Sequence, residues 1–572
     1  EESRATMGAL RRLGGVAAVS CLGLGTYGGY RYQEDEGFRR AVRLYSQVGP
    51  VVAHYRFVEA KQRFAPTFMY PSPQAKSEEW KALDERYSGP VVDLLKELKA
   101  LYCKYGQIAA SMTNTLGEQW TEKLRELEDA VPPQPKKVVW QTIREDFGKE
   151  PEEIFEFFDE VPLGSASIGQ VHRARLRGHT EDCAVKVQYP ESWRMFHEDM
   201  RTIRGFLELA APEQVIILDE LESSFKREFD YTEEAANLQF MYDNLAQFRS
   251  QVVVPRPIKA TKRVLVMDLL KGAKLLDGIR AYGKREAEKQ GRTFEEMEEE
   301  IKQNILDHGM PARYQGPPAW RIDLYLSTMR WRDRIANVAV GALNMLCSPF
   351  TRNKFEYWHT TLPPNAPRIM DVLMAVHGHQ LMKLGRFNAD PHTGNFLLLE
   401  DDRIGLIDFG ATKVLTRGER LAACLLYAAL YRKDRARMIE IVRNSGYKSK
   451  YFDEDVIWDI TQFAFDSLGQ DLLGDKNVQQ FMDDLYKRDP WYESASNLVM
   501  AQFLSIRLRG VGMSMLFPIR CSEWWGELAE EVLREEGLPY EVWDYELMDK
   551  EFSSDVVVSK GSTIKSALSV IA

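Results

Sequence analysis

Residues 390–410 read Asp390-Pro391-His392-Thr393-Gly394-Asn395, Phe396-Leu397-Leu398-Leu399, Glu400-Asp401-Asp402, Arg403-Ile404-Gly405-Leu406-Ile407, Asp408-Phe409-Gly410, in a half of the chain that is otherwise patterned for helices. The apolar runs Phe396–Leu399 and Ile404–Ile407 flank the polar turn Glu400-Asp401-Asp402, which predicts a β-hairpin. Asp390 and Asn395, five positions apart, precede it, and Asp408 follows it. A hairpin holds such oxygen-bearing side chains on a rigid element, which turns positioning into rate.

The residue types share a chemistry. Magnesium is a hard cation that takes oxygen ligands in near-octahedral geometry, so the Asp408 carboxylate and the Asn395 amide oxygen suit it, with phosphate and water completing the shell. Asp390 is left to accept a proton from an attacking hydroxyl or water. Aspartate, asparagine, hairpin and D-F-G in this order match the arrangement by which kinase-like enzymes hold nucleotide and metal, so ATP and Mg2+ are the expected ligands. D-F-G alone arises by chance in long chains. The plainer alternative makes Asp390 a helix cap, Asn395 a turn residue and Asp408 a strand end, and the agreement of spacing and order weighs against it.

A phosphate site also needs a cation. Ile168–Leu176 and Cys183–Gln188 alternate with period two around the turn 177–182, predicting a second hairpin, and Lys186 sits in its apolar run Ala184-Val185-Lys186-Val187. A lysine placed there requires a charged partner. Phosphate meets that need, and so does a carboxylate on the helix expected from about Asp219 to Ala246, where Glu228, Asp230, Glu233 and Glu234 are candidates. A helix with the stripe Phe196, Met200, Ile203, Leu207 and Ala210 lies between Pro190 and Pro212, and Val252–Val254 and Val264–Met267 return to strand character. Strands, helices, strands and then a mostly helical remainder predict an α+β fold in two lobes. Ahead of Lys186 there is no G-x-G-x-x-G, but Gly164, Ser165, Ala166 and Ser167 are small enough to let the backbone approach phosphate. Asp268 and Leu269, where the small sheet ends, complete the expected nucleotide-binding set.

With 572 residues, 44% of them hydrophobic and 28% charged, the chain has the balance of a globular protein and length for several domains of about 150 residues each. Its net charge of −10 provides no global positive field, so nucleic acid is not an expected partner. Six scattered cysteines without a C-x-x-C pair give no disulfide scaffold or thiolate zinc site, and nine histidines without H-E-x-x-H give no histidine metal motif.

Near the start, Leu94, Leu98, Leu101, Tyr105, Ile108 and Met112 recur at helical spacing, predicting an amphipathic helix over Val91–Met112. Lys104 and Gln107 share a face beside that stripe, and spacing alone leaves both a solvated flank and a neighbouring site open to them. The chain opens on Glu1-Glu2 and not on methionine, so residues upstream are expected and no targeting segment can be read. Leu13–Tyr30 is an uncharged span of eighteen residues, between arginines, that reads as a membrane anchor or a flexible leader. Ser559–Ala572 reads as a frayed tail.

Together these motifs resemble those of the UbiB-like atypical kinases, also called aarF-domain-containing kinases, from about Phe38 to Val414. Lys104-Tyr105-Gly106-Gln107 looks like that family's K-x-G-Q signature, and Gly164–Gln170 like its alanine-rich nucleotide loop. Lys186 matches its nucleotide lysine, Glu228-Phe229-Asp230-Tyr231 its E-x-D motif, Asp390–Asn395 its catalytic loop, and Asp408 its metal aspartate. The resemblance implies a two-lobed protein-kinase-like fold with an N-terminal helical extension that lays Lys104 and Gln107, with Glu228 and Asp230, over the active site. It makes Glu228 the first candidate to hold Lys186. It further implies an ATP-dependent phosphotransferase or ATPase in quinone or lipid homeostasis on a mitochondrial or plastid membrane, with a membrane lipid or quinone precursor as a possible partner. A nucleotide- or lipid-sensing scaffold without phosphoryl transfer is the alternative, and a small-molecule phosphotransferase of the choline or aminoglycoside type is a weaker third reading.

On that pattern the chain divides into a leader (1–37), a helical extension (38–160), a sheet-bearing lobe (161–268), a helical lobe (269–550) and a tail (551–572). This chain departs from the family at Gly164 and Ser165, where alanines are common, at Thr393 in place of proline, and at Asn388, where a histidine often stands. About Lys284–Pro367 looks inserted. Arg285–Lys302 within it reads as a solvated helix, and Trp320–Phe350 is expected to pack on the body rather than touch a membrane.

Overall fold

The computed structural model describes residues 32–64, 73–98, 102, 106, 118–128, 133–165, 168–210, 222, 226, 228–347, 355–360, 362–474, 478–493 and 495–554. Leu13–Tyr30, Lys104, Gln107, Ala166, Ser167 and Ser559–Ala572 lie outside the described residues. Helices and sheets are both present, so the chain is α+β. It separates into two compact units, Glu1–Thr142 with Pro162–Gln170 and Gln188–Glu222, and Ile143–Val161 with Val171–Val187 and Ser223–Ala572.

The first unit is mainly helical, with long helices at Glu36–Phe64, Pro73–Leu98 and Ser192–Ala210. Leu94 and Leu98 of the expected stripe are buried with Tyr102 against Leu44 and Val48. Gly106 is buried, and a Cβ added there would run into the side chain of Leu127, so glycine is needed for close packing. Arg40 donates two hydrogen bonds of 2.8 Å to the Asp199 carboxylate, joining the first helix to Ser192–Ala210. Phe196 and Met200 of the predicted stripe are buried on that last helix.

The second unit is built around an antiparallel sheet in which Phe155–Phe158, residues 171–176, residues 183–187, Val264–Asp268 and Pro257–Ala260 follow one another in that order. Lys186 pairs with Leu265 in its register. Pro257–Ala260 was not legible as a strand, because it begins with proline, which an edge position tolerates. The hairpin that follows Asp390–Asn395 forms as Phe396–Leu399 against Ile404–Leu406, in register Phe396 with Leu406, and is flanked by Gly272–Lys274 and Val252–Val253. Asp402 in its turn takes φ 67°, a left-handed conformation that aspartate tolerates.

The helix expected from Asp219 to Ala246 is shorter where it is described, running from Tyr231 to Asn244. Asp230 ends the incoming chain: it is extended at φ −123°, and its side chain accepts a hydrogen bond from the Thr232 amide as an N-cap. Glu228 and Glu234 therefore belong to different segments.

One hydrophobic core runs through this unit from Ala184, Leu265 and Met267 to Tyr231 and Leu238, then to Phe396, Leu406 and Phe409 and the helix Arg417–Arg432. That helix is buried without a break from Leu421 to Leu430, as a stretch apolar on all sides must be. The strands and helices that present the polar groups described below thus share one packed interior, which fixes those groups relative to each other.

Beyond Gly272 come the helices Leu275–Lys289, Phe294–His308 and Ala319–Cys347. The run Arg285–Lys302, expected as one solvated helix, is instead broken at residues 290–293: its first part ends Leu275–Lys289, where Ala287 is buried, and the rest lies in Phe294–His308, which is opened by a capping box between Thr293 and Glu296 and has no buried residue. Ala319–Cys347 departs from expectation: one edge packs, with Leu326 and Asp333 buried, while Trp320, Trp331, Ile335 and Val338 stand exposed.

Candidate active site

The strand alternation that buries Val185 and Val187 leaves Lys186 on the other face of the sheet, where its Nζ lies 2.7 and 2.9 Å from the two carboxylate oxygens of Glu234 and 3.1 Å from Oδ2 of Asp408. Nζ also stands over the ring of Tyr231 at 5.1 Å from its centre. Burial alone pulls the lysine down, but the carboxylates of Asp408 and Glu234 outweigh it and hold the ammonium well above its usual range. Glu234 is pushed up to about 7, first by its own burial and then by the like charges of Asp408 and Glu228, against the pull of Lys186. Two carboxylates share one cation.

Lys186 thus pairs with Glu234, and the preference for Glu228 is corrected. The physical reason is the cap at Asp230, which starts a new helix and brings its first turn, not the segment before it, beneath the lysine. Glu228 acts on Glu234 through its charge, and Asp230 is occupied by capping.

The second half of the site is set by the hairpin. Beyond the Phe396–Leu406 pair, the Ile407 amide donates to the Asn395 carbonyl at 3.2 Å, so Asn395 and Asp408 flank the same open end. Asn395 donates its Nδ2 to the Asp390 carbonyl at 3.4 Å, which leaves the amide oxygen as its acceptor, and Thr393–Asn395 form a single 3-10 turn. Asp408 accepts from the Gly410 amide at 2.8 Å through Oδ1. A Cβ on Gly410 would crowd that oxygen at 3.3 Å, so the Asp408 carboxylate would have to give by a few tenths of an ångström, while Glu234 Oε2 at 3.6 Å would be in ordinary contact.

Three residues that sequence reasoning did not assign hold this geometry. Asn388 donates Nδ2 to the Asp408 carbonyl at 2.9 Å while its Oδ1 accepts from the Asp390 amide at 2.9 Å, so it joins the two acidic segments directly. Gln380, buried in a π-helical turn, accepts from the Asn388 amide at 3.1 Å. Asn237 donates to the Phe409 carbonyl at 3.2 Å, tying the lysine's helix to D-F-G. The departure at Asn388, read in the sequence only as a deviation, is thus a structural bridge.

Arg507 was also missed. Its guanidinium lies 3.2 Å from Oδ1 of Asp390, with both side chains less than one fifth exposed. Its signal was present, since it and Arg509 are the two charges in the largely apolar helix Val499–Ser514, and a charge in such a helix needs a partner.

Asp268 ends its strand opposite Cys183, and its carboxylate accepts from the Arg256 amide at 3.1 Å, while Leu269 is half-buried beside the core. Gly164 and Ser165 form a short strand in the first unit, where the Ser165 hydroxyl bonds the Tyr189 hydroxyl.

A family model described as the ABC1 atypical kinase-like domain matches residues 126–315 and 361–442, which include Lys186, Glu234, Asp390, Asn395 and Asp408. The chain belongs to the ABC1 atypical-kinase family. Among relatives of this ABC1 chain, Protein ACTIVITY OF BC1 COMPLEX KINASE 1, chloroplastic, from Arabidopsis thaliana is 27% identical over 374 residues, covering 64% of this chain and 43% of that protein. AarF domain-containing protein kinase 1 of Xenopus laevis is 26% identical over 442 residues, covering 75% of this chain and 68% of that one. The chain spans less than half the length of the first curated relatives it matches. A solved structure, the complex of Rv3197 with erythromycin from Mycobacterium tuberculosis, aligns over 82% of this chain and 100% of its own at 18% identity and a TM-score of 0.43, too loose a superposition to carry an argument. The ABC1 match skips residues 316–360, narrower than the insertion expected at 284–367.

Proposed function

We propose that this ABC1 chain is a two-lobed, protein-kinase-like enzyme that uses MgATP to transfer the γ-phosphoryl group to a lipid, a small molecule or water. The observation that carries the reading is the convergence of Lys186, Glu234 and Asp408 at 2.7–3.1 Å. Lys186 contributes a fixed ammonium for nucleotide phosphate, held by Glu234 in the manner of a kinase ion pair. The Asp408 carboxylate and the Asn395 amide oxygen fit a magnesium ion, which favours a few protein oxygens supplemented by phosphate and water. When bound, the ion neutralises charge on the phosphates. Asp390 takes the proton of the attacking hydroxyl as the bond from γ-phosphorus to the ADP oxygen breaks. Asn388 and Gln380 act as positioning residues that keep Asp390 and Asp408 in register.

The chloroplastic relatives support an organellar setting, and quinone or lipid homeostasis at an organelle membrane is the process we assign to it. From the family signature we further assign roles in nucleotide handling to Lys104, Gln107 and Gly164–Ser167. One observation favours a second reading, a nucleotide-sensing scaffold: Arg507 already occupies Asp390. Turnover of MgATP by the full chain, with and without lipid vesicles, separates the two. The enzyme reading expects turnover that Asp390→Ala abolishes while nucleotide still binds; complementation of a deletion strain by Asp390→Ala would favour the scaffold.

A further inference from the structure

We propose that the outer face of the helix Ala319–Cys347 docks on an anionic lipid bilayer, lying along its surface. Trp320, Leu324, Trp331, Ile335, Val338 and Met345 are each more than 60% exposed. At about 100° per residue these six positions fall within an arc of roughly 80° on one side of the helix. An exposed apolar stripe of this length on an otherwise folded body marks an interaction surface.

The opposite edge explains why the helix lies on the protein and does not cross a membrane. Asn337 exchanges two hydrogen bonds with the backbone of Trp358, Asn344 two with that of Phe355, and the Thr360 amide donates to Asp333. Arg330 donates to the Asp401 carbonyl and the Asp402 carboxylate at the turn of the catalytic hairpin. These polar groups hold one edge against the body, and among the described residues no helix is long and apolar enough to span a bilayer.

Charge selects the occupant. The helix sequence has four arginines, two aspartates and no lysine or glutamate, within a chain of net charge −10. Arg321 and Arg334 are exposed, one on each flank of the stripe, and stand over the rings of Trp320 and Trp331. Asp333 is buried, and Asp323 is half-buried in the lining of the cavity behind the helix. Tryptophan at the interface with flanking arginine is the composition of a surface-lying membrane helix. A second copy would instead bring the same arginines against these. The helix also lies within residues 316–360, which the ABC1 domain model does not match, so the surface is an addition to the shared domain.

This names the membrane-facing surface within the reading above, but it stands on different residues. The test is flotation of the full chain with vesicles of phosphatidylglycerol and phosphatidylcholine, beside vesicles of phosphatidylcholine alone. Wild type and Asp408→Asn are expected to float with the anionic vesicles, so loss of phosphoryl transfer and loss of docking read out separately. Trp331→Glu with Ile335→Glu, both at exposed positions, should weaken binding by about tenfold or more, and Arg321→Glu with Arg334→Glu should weaken it in a salt-dependent way. A wild-type chain that stays with the unbound fraction overturns the proposal. So does flotation equal in the Glu variants, which would place binding elsewhere in the chain. A wild-type dimer that those variants convert to monomer, without flotation, would assign the stripe to a second copy.

Discussion

Lys186 Nζ and Asp408 Oδ2 are 222 positions apart in sequence and 3.1 Å apart in the fold. Glu234 completes the cluster, and because it is only 3% exposed its charge depends on the lysine. Lys186→Met should therefore destabilise the protein by about 3–5 kcal/mol, the cost of leaving a buried charge without its partner. Lys186→Met with Glu234→Gln should recover a large part of that loss. Chemical denaturation of the two variants measures the difference, and equal losses would show that the pair is not coupled.

The raised Glu234 carboxyl gives a defined pH dependence. A group whose folded pKa of about 7 exceeds its ordinary 4.5 adds stability that is full below 4.5 and lost as pH rises through about 7. Wild type should therefore lose stability across that window relative to Glu234→Gln, by at most about 3 kcal/mol. Melting temperatures of both proteins at pH values spanning the window supply the comparison, and parallel curves would mean that Glu234 titrates as an ordinary carboxylate.

Arg507 holds Asp390 at 3.2 Å, so it controls the residue proposed to receive the acceptor proton. Arg507→Ala should raise the lower pH limit of turnover, because a carboxylate loses its neighbouring cation, and Arg507→Lys should restore the limit in part. A pH profile unchanged in Arg507→Ala would assign the arginine to packing alone.

Asn388 spans the Asp390 amide and the Asp408 carbonyl. Asn388→Ala should reduce kcat by roughly tenfold to a hundredfold with little effect on nucleotide affinity, as expected where a positioning contact is lost. Steady-state kinetics and direct nucleotide binding, measured side by side, check the split.

The elements that carry the site were legible where local pattern governs them. Both hairpins, the strand of Lys186 and the order of Asp390, Asn395 and Asp408 follow from alternation and turn residues, and the hairpins form where expected. The choice between Glu228 and Glu234 was not legible, because it depends on a helix cap at Asp230 within a run of acidic residues that all suit a helix. Asn388, Gln380 and Arg507 were missed for another reason: their roles arise from contacts across the fold. The helix Ala319–Cys347 was expected to pack, since its mixture of Trp, Met and Arg suits a core-facing helix as well as an exposed one, and burial of one edge alone appears only in three dimensions.

Nucleotide-induced stabilisation of wild type and Asp408→Asn, measured as the shift in melting temperature with ATP in the presence of magnesium and again with EDTA, bears most directly on the assignment of Lys186, Asn395 and Asp408 to a metal–nucleotide site. A shift in wild type that requires magnesium and is lost in Asp408→Asn is the predicted result. An equal shift in both proteins, with or without the metal, would contradict it.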